Sequence, residues 1–390
     1  MKKLLILIIC LGSLSAYAQQ HNPMLIGIVD TLHSNILNEN RVIYVHVPHG
    51  NKGERYPVLY ILDGEDHFES AVAITEQMSG AIPPMIVVGI TNTNRERDLT
   101  PTHVTGIGGS GGGENFMAFM EKELIPYIGS RYPVAPYRII SGHSLGGLTV
   151  MNALFNHTNL FNAYIALDPS LWWDDQRWIK KYENDLSEHD FSKKSLFIAI
   201  ANNIPAGEDT VSVLKDTSYL TMIPRAVIPF VHILRNAKPA GLRWTSKFYP
   251  NERHGTVELV SEYDALRYLF DYYSISTAAF INHPEISFAS ALTDHYKMIS
   301  ERLGYAVEPT EEQVNDYAYS CMELGRWDDA YKLFKMNTEK HPGSSNAFDS
   351  LGDYYSARGD KQHAIEAYTR SLKLHETADT RRKLNEMKKP

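Results

Sequence analysis

Cysteine is nearly absent: the 390-residue chain has two, Cys10 and Cys321. Cys10 falls in an N-terminal stretch that reads as removable, leaving Cys321 by itself. A single thiol forms no internal disulfide and no cysteine zinc cluster. An excess of positive charge is also missing. The formal net charge is −8, which argues against nucleic acid or an anionic membrane as a partner. Past the N-terminus no apolar run is long enough to span a bilayer. No H-E-x-x-H string occurs either, and no metal site is expected. The glycine-rich stretch from Gly106 to Gly113 is not followed by Gly-Lys-Ser/Thr, which excludes a phosphate loop. No cofactor is expected.

What is present begins with a targeting pattern. Lys2 and Lys3 precede the apolar "LLILIICLG", and Ala16-Tyr17-Ala18 has small residues at the spacing of a cleavage site. Residues 1–18 read as a signal peptide, which places the mature chain in a periplasm or in the medium. The remainder has an ordinary globular composition, 43% hydrophobic and 22% charged, and is long enough for two domains.

Residues 22–275 alternate strand-like and helix-like segments. "YPVLYILDG", "PMIVVGIT", "YRIISGH", "AYIALDPS", "SLFIAIANN" and "LRWTSKFYP" are short apolar runs ending at turns. This predicts an α/β fold with a mostly parallel sheet flanked by helices. Reactive groups in such sheets collect at the carboxyl ends of the strands. Gly64, Ser144, Asp168 and the 203–209 loop would sit there. Residues 285–390 read instead as an all-α domain. Gly325 and Gly359, Ala330 and Ala364, and Phe334 and Tyr368 are each 34 positions apart, the tetratricopeptide period. Two units, 311–344 and 345–378, would be followed by a capping helix. They offer a surface for a protein partner, or a plain structural extension.

The densest chemical signal is Gly142-His143-Ser144-Leu145-Gly146. The strand-like Tyr137–Ile140 precedes it and the helical "LTVMNALFNH" follows. A tight strand-to-helix turn lifts a serine hydroxyl clear of the backbone, so Ser144 is the candidate nucleophile. A serine needs a base. His254, in "YPNERHGTVEL" after the last strand-like run, fits the order Ser, acid, His. His232 lies inside a helical pattern, and His143 reads as a wall of the site. The acid is expected after "SLFIAIANN", the strand preceding the histidine. Asp209 is favoured there, with Glu208, Asp216 or a Ser–His dyad as alternatives. Backbone N–H groups of Leu145 and Glu65 would form an oxyanion hole. Arg95 and Arg97 are candidates to bind a carboxylate, a phenolate or sugar hydroxyls, or else to fix their loop through Asp98. Trp172 and Trp173 are candidates to stack on an aromatic acyl group or a sugar, or else to belong to the core.

"YILDGEDHF", "RERDLTP", "YRIISGHSLGGL", "DPSLWWDD" and "ERHG", in this order, resemble the bacterial esterase family related to esterase D. That family includes enterochelin and salmochelin esterases, feruloyl and acetylxylan esterases and S-formylglutathione hydrolases. The resemblance covers roughly residues 25–275. It implies an α/β-hydrolase fold and a Ser–His–acid site carried by Ser144, His254 and Asp209, with an oxyanion donor at Glu65. The acid is where this chain departs from the family pattern. The expected protein is an exported serine carboxylic-ester hydrolase acting through an acyl-enzyme on a small-molecule ester. A carbohydrate-linked acyl ester is the first substrate expectation and a ferric-siderophore lactone the second. An inactive, hydrolase-like binding protein is the rival from another class.

Overall fold

The computed structural model describes residues 25–389, apart from 51–52, 183–185, 187–188, 278–279, 281–282 and 284. The expected signal peptide lies outside the described residues. The strands are β1 (Ile28–Ser34), β2 (Glu39–His46), β3 (Tyr56–Leu62), β4 (Ile86–Ile90), β5 (Val134–His143), β6 (Ala163–Leu167), β7 (Lys194–Ala201) and β8 (Leu242–Tyr249). Together they form one sheet in the order β1-β2-β4-β3-β5-β6-β7-β8. β1 and β2 run antiparallel to their neighbours, and every pairing from β4 to β8 is parallel.

Burial explains which strands are central. Every residue of β3, β4 and β6 is buried, as expected for continuous apolar runs covered on both faces. β2 alternates buried with half-exposed positions, and β1 at the edge is largely exposed. The polar alternation of β1 gives little local signal, and its pairing with β2 is what makes it a strand.

Helices cover both faces. They are α1 (Gly64–Gln77), α2 (Arg95–Asp98), α3 (Gly113–Phe119), α4 (Ile125–Arg131), α5 (Leu145–Asn156), α6 (Arg177–Tyr182), α7 (Met222–Ala237) and α8 (Val257–Leu269). The side chains of β5 alternate between two cores. Ile140 packs with Leu148 of α5 and Phe230 of α7, whereas Ile139 packs with Phe68 of α1 and Leu266 of α8. Ser141 and His143 share the face of Ile139, because strand side chains repeat every second residue. The polar side chains below the nucleophile therefore point towards α1 and α8.

The C-terminal region is all helical. The helices Glu311–Glu323 and Trp327–Lys340 are followed by Ser345–Ala357 and Lys361–Leu374, then by Ala378–Met387. The second pair repeats the start positions of the first with the offset seen in the sequence. Phe288, Ala289 and Leu292 of the helix Phe288–Leu303 belong to the core of this region. Ile299 and Leu303 of the same helix belong to the core beneath the sheet. One helix thus contributes to both cores. Among the described residues, no helix is long and apolar enough to cross a membrane.

Ile299 is fully buried at this junction. Ile299→Ala should destabilise the chain by about 2–5 kcal/mol through lost burial plus the residual cavity. Urea unfolding monitored by tryptophan fluorescence measures this.

Candidate active site

The turn from β5 to α5 places Ser144 at φ 60° and ψ −115°, a conformation that residues with a Cβ rarely adopt. It is pinned on both sides. The Ser144 N–H donates to the Leu167 carbonyl, and the Ser144 carbonyl accepts from the N–H groups of Leu148 and Ser170. The turn also requires glycine at 142: a Cβ there would stand 2.5 Å from the backbone carbon of Gly146.

The parallel register then aligns the strand tips. His143 pairs with Leu167, and Leu167 with Ala199. The residue after β6 is therefore beside the residue after β5. That residue is Asp168, which is fully buried. Its Oδ1 accepts from the Ala201 N–H at 2.9 Å, and its Oδ2 accepts from Asn203 Nδ2 at 3.2 Å. His254 reaches the same point from the loop after β8. Its N–H donates to Asn203 Oδ1 at 3.1 Å. Its Nδ1 lies 2.6 Å from Asp168 Oδ2 and its Nε2 lies 3.1 Å from Ser144 Oγ. A carboxylate on Nδ1 keeps the ring proton there, leaving the Nε2 lone pair to accept from the serine hydroxyl. Ser170 Oγ is a second neighbour of Ser144 Oγ, at 3.3 Å. The arrangement is that of a nucleophile, a base and a buried acid in one hydrogen-bonded line.

The acid corrects the expectation drawn from the sequence. Asp209 is exposed and its Oδ1 caps its own turn, accepting from Val211 and Ser212 N–H at 2.9 and 2.7 Å. Glu208 is exposed as well, and Asp216 is bonded to Ser218 and Thr221. The acid comes one strand earlier, because β6 lies directly beside β5. The usable signal in the sequence was Asp-Pro closing an apolar strand run. Asn203 and Ser170 carried no local signal.

Leu145 and Glu65 are each in the first turn of a helix, α5 and α1, where backbone N–H groups have no intrahelical acceptor. α1 starts close to the neighbouring strand: a Cβ on Gly64 would meet the backbone of Gly89 at 2.5 Å. The expected substrate arginines are tied to protein carboxylates. Arg95 makes a two-pronged pair with Asp63 at 2.7 and 2.9 Å. Arg97 is held by Glu39 and Asp98, and the same two carboxylates bind the buried Arg41. This network fixes the loop after β4. Trp173 is buried, with its indole N–H on the Thr102 carbonyl, so it is a core residue and not a stacking platform. Trp172 is only partly buried. His232 lies exposed on α7.

Strand order, strained elbow and hydrogen-bonded line together define an α/β-hydrolase. The family model described as "Putative esterase" matches residues 34–208. The IroE-like serine hydrolase of Shewanella oneidensis is 32% identical, with a TM-score of 0.68, over 80% of this chain and 99% of that one. The ferri-bacillibactin esterase BesA of Bacillus subtilis is 33% identical over 38% of this chain and 61% of its own length. The siderophore triacetylfusarinine C esterase of Aspergillus fumigatus is 31% identical over 30% of this chain and 45% of its own length. The match thus spans only about half of the latter two proteins. The chain belongs to the esterase-D-like, enterochelin-esterase family of the α/β-hydrolase superfamily.

A second polar layer lies behind the line. The imidazole of His143 packs against that of His254, with ring centroids 4.4 Å apart. Burial, then the proximity of His254, holds His143 down at about 4, so this ring is neutral near pH 7. Deeper still, Ser141 Oγ donates to Glu262 Oε2 at 2.5 Å. Burial pushes the Glu262 carboxyl up to about 7 from the ordinary 4.5. The folded chain therefore holds a proton there that the unfolded chain releases near 4.5. Stability should fall as pH rises from about 4.5 to about 7 and stay at the lower level above that, by roughly 3 kcal/mol in all. Glu262→Gln should abolish this slope, so that the variant gains on the wild type at pH 8 relative to pH 4.5. Urea unfolding of both proteins across that range tests the sign and the size.

Proposed function

We propose that the chain is a serine carboxylic-ester hydrolase that cleaves ester bonds of a siderophore. The observation that carries the hydrolase reading is the line Asp168–His254–Ser144 at the end of the parallel sheet. In the first step Ser144 Oγ attacks the ester carbonyl carbon and His254 Nε2 takes the hydroxyl proton. Asp168, buried and already hydrogen bonded, stabilises the imidazolium without itself taking the proton. The N–H groups of Leu145 and Glu65 are suited to the tetrahedral oxyanion. Collapse breaks the ester C–O bond, the leaving alcohol takes the proton from His254, and the acyl group remains on Ser144. A water molecule then attacks the acyl-enzyme with His254 as base, and the acid departs.

The siderophore reading rests on the likeness to the ferri-bacillibactin and triacetylfusarinine C esterases. A carbohydrate-linked ester has less support. Trp173 is in the core, and Arg95 and Arg97 are paired, which leaves Trp172 alone among the residues expected to contact a sugar. The targeting pattern of residues 1–18 supports an exported location.

Ser144→Ala should abolish turnover of p-nitrophenyl acetate and butyrate. Asp168→Asn should lower kcat by about 10⁴-fold, the scale seen when a triad acid loses its charge. Asp209→Asn should leave kcat unchanged. Steady-state kinetics on the three variants decides between the two acids. For the substrate, a cyclic catecholate lactone with and without iron, and an acetylated xylo-oligosaccharide, are each incubated with wild type and Ser144→Ala, and the products are read by mass spectrometry. Ser144-dependent opening of the lactone with the sugar ester intact is the expected result. The opposite preference replaces the siderophore reading with the carbohydrate one. No hydrolysis of any ester favours a binding role.

A further inference from the structure

Behind the nucleophile, three further side chains with metal-ligand chemistry converge from three elements. His67 lies in the first turns of α1, His143 ends β5, and Glu258 opens α8. Their donor atoms all lie within 4.8 Å of one another. His67 Nδ1 is 2.6 Å from Glu258 Oε1. His143 Nε2 is buried and has no hydrogen-bond partner among the described residues. A buried ring nitrogen without a partner is unfavourable, and structures normally supply one. Glu262, one turn further along α8 and only 5% exposed, has a second such atom, Oε1.

Burial disfavours charge on both imidazoles, and His254 adds to this at His143. At His67 the carboxylates of Glu258, Asp63 and Asp66 outweigh the cost of burial. Of these carboxylates, Asp63 is matched by Arg95. Two imidazoles and one carboxylate form a donor set suited to zinc and its neighbours, and too rich in nitrogen for magnesium or calcium. Zinc bonds of about 2.0–2.2 Å put two ligands of one ion about 4 Å apart or less. The donors, spread over no more than 4.8 Å, would have to close by at most about 1 Å. No local string announces the set, because its members are far apart in the sequence.

We propose that His67, His143 and Glu258 bind one divalent transition cation of the zinc class, and that the bound cation slows the hydrolase. The second clause rests on the function proposed above. The ion would replace whatever proton lies between His67 and Glu258, releasing it to solvent. His143 would carry the charge to within ring contact of His254. A cation there disfavours the imidazolium that His254 must form in each step.

The test uses the full chain, purified without a polyhistidine tag and stripped by a chelator. Co²⁺ is followed by its visible absorption and Zn²⁺ by calorimetry, on wild type, His67→Gln and Glu258→Gln. Thermal melts without metal establish that each variant is folded. One equivalent bound by wild type, with Kd weakened about tenfold or more in each variant, is the expected result. Absence of stoichiometric binding, or equal binding by wild type and both variants, overturns the site. This readout does not depend on ester turnover, so it stands apart from the hydrolase reading. With p-nitrophenyl butyrate, Zn²⁺ should lower wild-type turnover reversibly and act more weakly on the variants. Stoichiometric binding with turnover unaltered overturns the coupling to His254.

Discussion

Everything at the site depends on a serine held where serine does not belong. Residues in such sparsely populated conformations carry strain of about 1–3 kcal/mol. At Ser144 it is held in place by hydrogen bonds to Leu167, Leu148 and Ser170 and by the near contact of Gly142 with Gly146. The bonds to Leu167 and Ser170 are not local preferences of the pentapeptide. They exist because β6 and the turn after it lie beside β5, so the site is completed only by the assembled sheet.

The same sheet supplies the electrostatics. Asp168 is a carboxylate with no exposure to water, and removing a charge from water is costly unless hydrogen bonds replace the lost hydration. Ala201, Asn203 and His254 provide them. Asn203 also holds the backbone of His254, so one amide side chain ties acid and base together. The acid and base are set in place before any substrate arrives, and a site of this kind needs little reorganisation when charge develops.

Much of the fold was legible in the residues. Long apolar runs with β-branched side chains mark β3 to β7, and the strand–turn–helix around Ser144 follows from apolar spacing and glycines. His254 could be singled out because it follows the last strand-like run, and the structure puts it 3.1 Å from Ser144. The acid was assigned to the wrong strand, although Asp168-Pro169 closes the apolar run of β6. Chain order points to the strand before the histidine, whereas the register of β5, β6 and β7 brings the tip of β6 next to Ser144. That register is a property of three strands and is absent from any one of them. β1 was missed for a similar reason, since a polar edge strand is defined by its partner. For Arg97 the tie to Asp98 was one of the two readings, and the structure contains it; the added hold by Glu39 comes from a distant strand and has no local signal.

The helix Phe288–Leu303 has a mechanical meaning. Its first residues lie in one core and its last in the other, and Arg302 sits over the ring of Tyr272 at 4.3 Å. A pull on the C-terminus is therefore transmitted as shear along this helix to the layer beneath the sheet. Separating this helix would strip the aromatic layer around Tyr272 and Tyr273 of its cover. The esterase unit thus has a natural cut after residue 303, and a poor one before residue 288.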